Sequence, residues 1–172
     1  MKVILSDRAY CAILAETLEH RNTETGGLFL GICRDDICYI VEAIDPGPNS
    51  RFEVAYFEYD QKYTQHLINK IAGLYKSKLG LVGLWHRHPG SFDIFSGTDD
   101  GTNAKYAALH EFGAVSALVN LDPEFRLTIY HVSKKCTYEK VDYETGNALI
   151  PAEILAYQDV ETYLSQMEKR GK

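Results

Sequence analysis

Two histidines and an aspartate near the middle of the chain have the residue types and spacing of a metal site. His86 and His88 flank one residue at the end of an apolar run, and Asp99 follows after a loop. Side chains of an extended strand alternate between its faces, so both imidazoles would point the same way and could converge on one cation. With an oxygen ligand from Asp99, three protein ligands would leave the fourth position for water, as in a catalytic zinc site.

Each of these residues also has an ordinary structural explanation. An H-x-H pair on an apolar strand is compatible with two histidines that bind nothing. Either Asp99 or Asp100 could be the N-cap of a helix that is predicted to begin there and to run toward Glu111. The spacing from His88 favours Asp99 as the ligand and leaves Asp100 as a spare carboxylate.

A base for the attacking water is available upstream at Glu24, which precedes Thr25-Gly26-Gly27-Leu28-Phe29-Leu30-Gly31. Paired glycines let the backbone approach another segment closely, so this strand entry could bring a distant carboxylate against a metal. The alternative is a solvated glutamate that follows a helix, and that interpretation would be preferred if the two histidines were absent.

These residues resemble the JAMM motif of MPN-type (JAB) metalloproteases, which is written E…H-x-H-x10-D with an inner serine. Here the motif is carried by Glu24, by His86-Arg87-His88-Pro89, and by Ser96 and Asp99. The resemblance covers roughly residues 1 to 135 and includes the loop Asp45-Pro46-Gly47-Pro48-Asn49-Ser50. It implies the α/β architecture of that family, a mixed β-sheet sandwiched by helices as in cytidine deaminases.

The resemblance also implies roles for the individual residues. His86, His88 and Asp99 would bind one Zn2+ per chain, Glu24 would act as general base and then general acid, and Ser96 would help to hold a tetrahedral oxyanion. Zinc brings the pKa of its water toward neutrality and polarises a carbonyl, so these roles suit hydrolysis of an amide bond.

One position departs from the pattern, because many family members carry Ser or Thr between the two histidines and this chain has Arg87. Strand alternation directs Arg87 away from the metal, so no loss of zinc binding is expected. We expect this side chain to form a salt bridge beneath the strand rather than to contact a substrate carboxylate.

The family implies an isopeptidase or peptidase that cleaves after the C-terminal tail of a ubiquitin-like protein, from a conjugate or from a precursor extension. The expected partners are that protein, its conjugates, and relatives of ubiquitin-activating and ubiquitin-conjugating enzymes from the same operon, which would serve antiphage defence. In the family, the region after the Pro-Gly loop lies beside the active site. The resemblance therefore predicts substrate binding by Phe52, Val54, Tyr56 and Phe57. The alternative is that the aromatic residues here form the core face of a helix together with a few half-buried rings.

Three other functions have to be compared with the same residues. A hydrolase of small peptides, amides or cysteinyl adducts on a sulfur carrier would use the same zinc site. A non-catalytic MPN binding module would not need the complete residue set found here. A zinc deaminase would also place a glutamate beside a zinc water, but its H-x-E and P-C-x-x-C signatures are absent from this sequence.

Composition fits a single catalytic domain that spans residues 1–172, with hydrophobic residues at 45% and charged residues at 24%. The net charge of −6 gives no general attraction to nucleic acid. No apolar run approaches the ~20 residues that cross a bilayer, and the amino terminus is too short for a signal peptide. A cytoplasmic protein without membrane contacts is therefore expected. The four cysteines lack C-x-x-C spacing, so they are expected to be reduced thiols, with Cys11 and Cys33 packed.

The elements that position the motif follow from hydrophobic periodicity and turn residues. Strands are predicted over residues 2–5, 26–33, 37–44, 114–120, 125–132 and 138–143, and the motif strand follows residue 78 and ends at Pro89. Helices are predicted over residues 7–20, from residue 60, from residue 99 or 100, and over about 151–168, where Pro151 would occupy the first helical position.

Overall fold

Helices lie on both faces of a mixed β-sheet in the computed structural model, which describes residues 1–90 and 92–170. The strands of this sheet are β1 (Lys2–Leu5), β2 (Thr25–Arg34), β3 (Ile37–Ile44), β6 (Gly80–Arg87), β7 (Ala114–Asn120), β8 (Arg126–Val132), β9 (Tyr138–Val141) and β10 (Tyr143–Thr145). A separate hairpin consists of β4 (Arg51–Phe52) and β5 (Phe57–Glu58). The helices are α1 (Asp7–Glu19), α2 (Gln61–Ala72), α3 (Gly97–Ala107), α4 (Ala152–Leu155) and α5 (Val160–Arg170).

The main sheet has the strand order β10-β1-β3-β2-β6-β7-β8-β9. Strand β6 is antiparallel to β2 and parallel to β7, while β1 is parallel to both of its neighbours. The predicted mixed sheet between helices is therefore confirmed. Strands β1, β3 and β7 begin and end at the predicted residues, because alternating or continuous apolar runs bounded by turn residues leave little choice of register.

Strand alternation divides the core into two layers. On one face of the sheet, Ile13 of α1 packs with Phe29 and Trp85. On the other face, Leu84 of β6 packs with Leu67 of α2. Adjacent residues of β6 thus belong to different layers, which places the residues of the H-x-H segment on different faces as well.

The prediction of one continuous C-terminal helix over about residues 151–168 is wrong, because α4 ends at Leu155 and α5 begins at Val160. Between them the chain pairs with the segment after α2, where Tyr75 and Tyr157 form an antiparallel bridge. The Asp159 side chain then accepts from the backbone N–H of Thr162 at 2.8 Å, which starts a new helix. Pro151 is the N-cap of α4 rather than its first helical residue. In the part of the chain that the structure describes, no helix combines the length and apolar character that crossing a membrane requires.

The expectation of four reduced thiols is also wrong, since Cys33 and Cys38 form a disulfide. The reason is the register of the β2–β3 hairpin, which places these two residues directly opposite each other. Cys11 was expected to be packed but is exposed on α1.

Candidate metal centre

His86 and His88 lie at the carboxyl end of β6 and point to the same face of the sheet. Both are buried, with exposed fractions of 6% and 8%, and their Nε2 atoms are 2.9 Å apart. Asp99 completes the cluster, because its Oδ1 lies 3.4 Å from His86 Nε2 and its Oδ2 lies 3.4 Å from His88 Nε2. One ligand atom from each residue lies within 4.8 Å of the others. Two imidazole nitrogens and one carboxylate oxygen that converge this closely could bind a metal ion.

Burial and mutual charge set the protonation of this cluster. Burial lowers the pKa of His86, which favours the neutral imidazole that a metal needs. Burial also opposes the charged form of His88, but the hydrogen bond and negative charge of Asp99 outweigh it and raise the pKa of His88. Burial disfavours the Asp99 carboxylate, yet the hydrogen bonds from the two imidazoles lower its pKa overall. The site therefore contains a carboxylate that stays ionised.

Gly26 allows strand β2 to approach the first histidine. It pairs with His86 in the antiparallel ladder. A Cβ atom at Gly26 would lie 2.5 Å from the Trp85 carbonyl oxygen and 2.8 Å from His86 Cβ, which is closer than real Cβ contacts. The absence of a side chain is thus required by the backbone that holds the ligand strand.

The cap of helix α3 delivers the third candidate ligand. The helix begins earlier than predicted, at Gly97, with Ser96 rather than an aspartate as its N-cap. Asp99 occupies the third helical position, and its carboxylate accepts from the Ser96 backbone N–H at 2.6 Å. Asp100 turns away and accepts from the Tyr138 hydroxyl at 2.6 Å. The structure therefore brings Asp99, and not Asp100, to the histidines.

Side chains of the neighbouring strands contact described residues of the segment between His88 and Ser96. Asn120 is fully buried at the end of β7, and its Nδ2 donates to the carbonyl oxygens of Gly90 and Phe92 at 3.2 Å and 3.0 Å. Further along, the ring of Phe95 stacks on Tyr138 with centroids 4.6 Å apart. Sequence reasoning missed Asn120, although a polar residue that ends an otherwise apolar strand was an available signal.

Glu24 lies just outside the β2–β6 ladder and close to the cluster. Its backbone N–H donates to the carbonyl oxygen of Glu53 in the β4–β5 hairpin at 2.8 Å. Burial raises the pKa of its carboxyl group, the charge of His88 lowers it, and the charge of Asp99 raises it again. The carboxyl group is therefore within electrostatic range of two candidate ligands, and its raised pKa suits a residue that accepts and returns a proton.

Arg87 faces away from the histidines as predicted, but its expected salt bridge is wrong. The side chain is buried, and its Nη1 and Nη2 donate to the backbone carbonyl oxygens of Thr23 and Arg21 at 2.7 Å and 2.5 Å. Within residues 1–90 and 92–170, no carboxylate lies at ion-pair distance from it. The reason is topological, since the connection from α1 to β2 passes under the end of β6 and presents carbonyl oxygens there. Its burial also makes contact with a substrate carboxylate unavailable.

The four predicted substrate-binding residues fall into two pairs. Phe52 and Phe57 face each other in the β4–β5 hairpin, and Phe52 stacks on His20 with centroids 3.9 Å apart. Both rings are half-buried and stabilise the hairpin. Val54 is 68% exposed and Tyr56 is 38% exposed, so these two are accessible to a substrate.

A second exposed apolar pair was not predicted. Phe92 and Ile94 are 70% and 76% exposed in the loop that joins the histidine strand to helix α3. Two large apolar side chains in a loop of Gly, Ser and Asp were a usable sequence signal, because such residues are normally buried. Exposed apolar groups thus lie on the hairpin that is hydrogen-bonded to Glu24 and on the loop that joins His88 to helix α3.

Comparison with known proteins adds the following findings. A family model described as prokaryotic homologs of the JAB domain matches residues 6–131. Among solved structures, the solution structure of protein DSY2949 from Desulfitobacterium hafniense is similar, with a TM-score of 0.62 and 14% sequence identity. The likeness covers 83% of this chain and 92% of that chain, and at this identity it shows the fold alone. A comparison with curated proteins gave no match.

Proposed function

This chain belongs to the family of prokaryotic homologs of the JAB domain, and we propose that it is a zinc-dependent isopeptidase or peptidase. Its substrate would be the amide bond that follows the C-terminal tail of a ubiquitin-like protein, in a conjugate or in a precursor. The family and the histidine–aspartate cluster indicate a metal-dependent hydrolase. The observation that carries the proposal is the convergence of His86, His88 and Asp99 beside the carboxyl group of Glu24.

His86, His88 and Asp99 would hold the zinc ion. Bound zinc would bring the pKa of water toward neutrality and polarise the scissile carbonyl group. Glu24 would take a proton from the attacking water and return it to the leaving amine. Its half-buried position favours the protonated form more than water does, so it can act in both directions.

Ser96 would contribute a hydrogen bond to the oxyanion. Its Oγ accepts from the backbone N–H of Asp99 at 3.3 Å, which uses a lone pair and leaves the hydroxyl hydrogen available for donation. A donor aimed at the developing negative charge would lower the barrier by about 3 kcal/mol.

Exposed apolar residues support an extended peptide as the substrate. The hairpin offers Val54 and Tyr56, and the loop offers Phe92 and Ile94. Because the hairpin is hydrogen-bonded to Glu24 through Glu53, a peptide that binds along it would lie near the base. A flexible tail can bind such a site as an added strand. The proposed partners include relatives of ubiquitin-activating and ubiquitin-conjugating enzymes in a cytoplasmic antiphage pathway.

The test is a cleavage assay on a fusion to the ubiquitin-like protein that is encoded nearest this gene. Wild type, Glu24→Gln and the control Glu19→Gln would be compared after zinc loading, with bound zinc measured in each. Glu19 is an exposed carboxylate at the end of α1. We expect Glu24→Gln to retain zinc and lose activity by about 10²–10⁴-fold, whereas Glu19→Gln cleaves like wild type.

Three results would contradict this proposal. Zinc-loaded wild type that cleaves short dipeptide-like amides but no fusion would indicate a small-amide hydrolase. Protein that binds no zinc would indicate a binding module. Equal activity of wild type and Glu24→Gln would remove Glu24 from the chemistry.

A further inference from the structure

Arg87 lies between the two candidate histidine ligands in sequence and on the opposite face of the sheet in space. Strand alternation places it in the layer that contains Trp85, and it is 1% exposed. Its guanidinium group therefore has no direct route to the metal. Any effect of this residue on the chemistry must act through the backbone that it contacts.

The backbone that Arg87 contacts belongs to the connection between α1 and β2, which contains Glu24. Nη1 donates to the carbonyl oxygen of Thr23, the residue that directly precedes Glu24, and Nη2 donates to the carbonyl oxygen of Arg21. One planar group thus bridges two carbonyl oxygens of the same short connection. Such a bridge restrains the path of the chain between α1 and β2.

The restraint is needed because the strand ladder stops one residue short of the base. The last pair of the β2–β6 ladder is Thr25 opposite Arg87, so Glu24 is not held by strand pairing. On its other side, the Glu24 N–H donates to the carbonyl oxygen of Glu53 in the β4–β5 hairpin at 2.8 Å. Arg87 and Glu53 therefore hold Glu24 from opposite sides.

We propose that Arg87 is a positioning residue that fixes Glu24 relative to the ligand strand by clamping the carbonyl oxygens of Arg21 and Thr23. Its catalytic consequence depends on the proposed function, whereas the clamp itself does not. Because Arg87 lies between His86 and His88 at the carboxyl end of β6, one segment would fix the positions of both the metal ligands and the base. The clamp would make the distance between them insensitive to motion of the connection.

The chemistry of the side chain explains why arginine is suited to this position. A guanidinium group presents several N–H donors in a fixed plane and can bind two oxygen acceptors at once. A lysine ammonium group on a flexible chain can approach one of the two carbonyl oxygens but does not reproduce the planar bridge. Arg87→Lys should therefore preserve part of the effect, and Arg87→Gln should preserve less.

A limited proteolysis experiment tests the clamp without any activity assay. Trypsin cleaves after Arg21, whose carbonyl oxygen is one of the two acceptors, so the clamp should slow this cleavage. In zinc-loaded protein, we expect Arg87→Gln to be cut after Arg21 at least about 10-fold faster than wild type, with Arg87→Lys between them. Arg34→Gln, which removes an exposed arginine at the β2–β3 hairpin, should be cut after Arg21 at the wild-type rate.

Cleavage after Lys70, within helix α2, serves as the internal reference for general loss of structure. If Arg87→Gln accelerates cleavage after Lys70 and Arg21 equally, the side chain stabilises the whole fold and the proposed clamp is overturned. Unchanged cleavage after Arg21 in both Arg87 variants would overturn it as well.

Kinetics then test the link to Glu24. We expect Arg87→Gln to lower kcat by about 10–100-fold at unchanged KM, since small displacements of a catalytic group have effects of this size. Zinc content and the absorption spectrum of the cobalt-substituted protein should stay as in wild type. In the Glu24→Gln background, adding Arg87→Gln should cause no further loss.

A wild-type kcat in Arg87→Gln, an additive loss in the double variant, or an altered cobalt spectrum would each overturn the positioning role. If wild type itself cleaves no substrate, the proposed function fails, and the proteolysis comparison alone decides whether Arg87 clamps the connection.

Discussion

Ser96 and Asp99 cap the first turn of helix α3 reciprocally. The Ser96 backbone N–H donates to the Asp99 carboxylate at 2.6 Å, and the Ser96 hydroxyl oxygen accepts from the Asp99 backbone N–H at 3.3 Å. This capping box orients the carboxylate that faces His86 and His88. Ser96, the proposed oxyanion donor, thus also holds the candidate metal ligand Asp99 in place. Experiments on Ser96 therefore have to distinguish these two roles.

Two separate substitutions of Ser96, by alanine and by glycine, distinguish its capping role from its proposed catalytic role. Ser96→Ala should reduce the free energy of unfolding by about 1 kcal/mol, while Ser96→Gly should cost only a few tenths, since glycine is tolerated at N-caps. Both variants lack the hydroxyl group, so both should lose about 10²–10³-fold in kcat if it binds the oxyanion. Denaturant unfolding and cleavage kinetics would measure the two effects. Activity that follows stability, with Ser96→Gly close to wild type, would limit Ser96 to the cap.

Adding a methyl group to Gly26 should disturb the ligand strand. The new Cβ would collide with the Trp85 carbonyl oxygen and His86 Cβ, so we expect a loss of about 1–3 kcal/mol in the free energy of unfolding, together with weaker zinc binding. Gly80→Ala, at the start of the histidine strand β6, is the control, because a Cβ there meets nothing within 4 Å. Unfolding curves and zinc competition titrations provide the measurement. Equal behaviour of the two variants would show that β2 can move aside without affecting His86.

Zinc should stabilise the folded protein through three side chains. A ligand that binds only the folded state contributes RT ln(1 + [L]/Kd), which is about 2.7 kcal/mol at a free concentration of 100 Kd. We expect zinc to raise the Tm of wild type and a chelator to reverse the rise, whereas Asp99→Asn should show a much smaller shift. Asp100→Asn is the control, because its carboxylate is bound to Tyr138 instead. A zinc-dependent shift that survives in Asp99→Asn and is lost in Asp100→Asn would assign the wrong aspartate.

Glu16 should make the free energy of unfolding depend on pH. It is half-buried and accepts from the Thr25 hydroxyl at 2.6 Å, and burial raises its pKa. A raised pKa in the folded state means that folding favours the protonated form. This contribution to stability is present below the unfolded-state pKa of about 4.3 and is lost as pH rises through the raised folded-state pKa.

Glu16→Gln keeps an acceptor for Thr25 without the charge. We therefore expect it to be more stable than wild type at pH 7, with the difference shrinking as pH is lowered toward 4, and with a small amplitude because the group is partly exposed. Thermal unfolding at several pH values would measure this, with the exposed Glu19→Gln as control. His20 Nε2 lies 3.3 Å from Glu16 Oε1. A variant less stable than wild type at pH 7 would mean that this contact outweighs the burial of the Glu16 carboxylate.

The sequence by itself was sufficient for features that depend on local patterns. Apolar periodicity placed β1, β3 and β7 at their observed bounds, and period-two alternation placed His86 and His88 on one face with Arg87 on the other. The motif spacing selected Asp99 for the cluster that the structure assembles. The roles of Glu24 and Ser96 stay predictions, since they concern chemistry rather than geometry.

Only the tertiary structure decided which distant backbone groups meet these side chains. The carbonyl oxygens that bind Arg87 come from a connection far away in sequence. Asn120 likewise donates to the carbonyl oxygen of Gly90, in a loop that is distant from it in sequence. The break between α4 and α5 likewise depends on pairing with the segment around Tyr75. Backbone acceptors carry no residue-specific signal in a sequence, because every residue has a carbonyl group. Their use is fixed by sheet register and chain path, which periodicity does not specify.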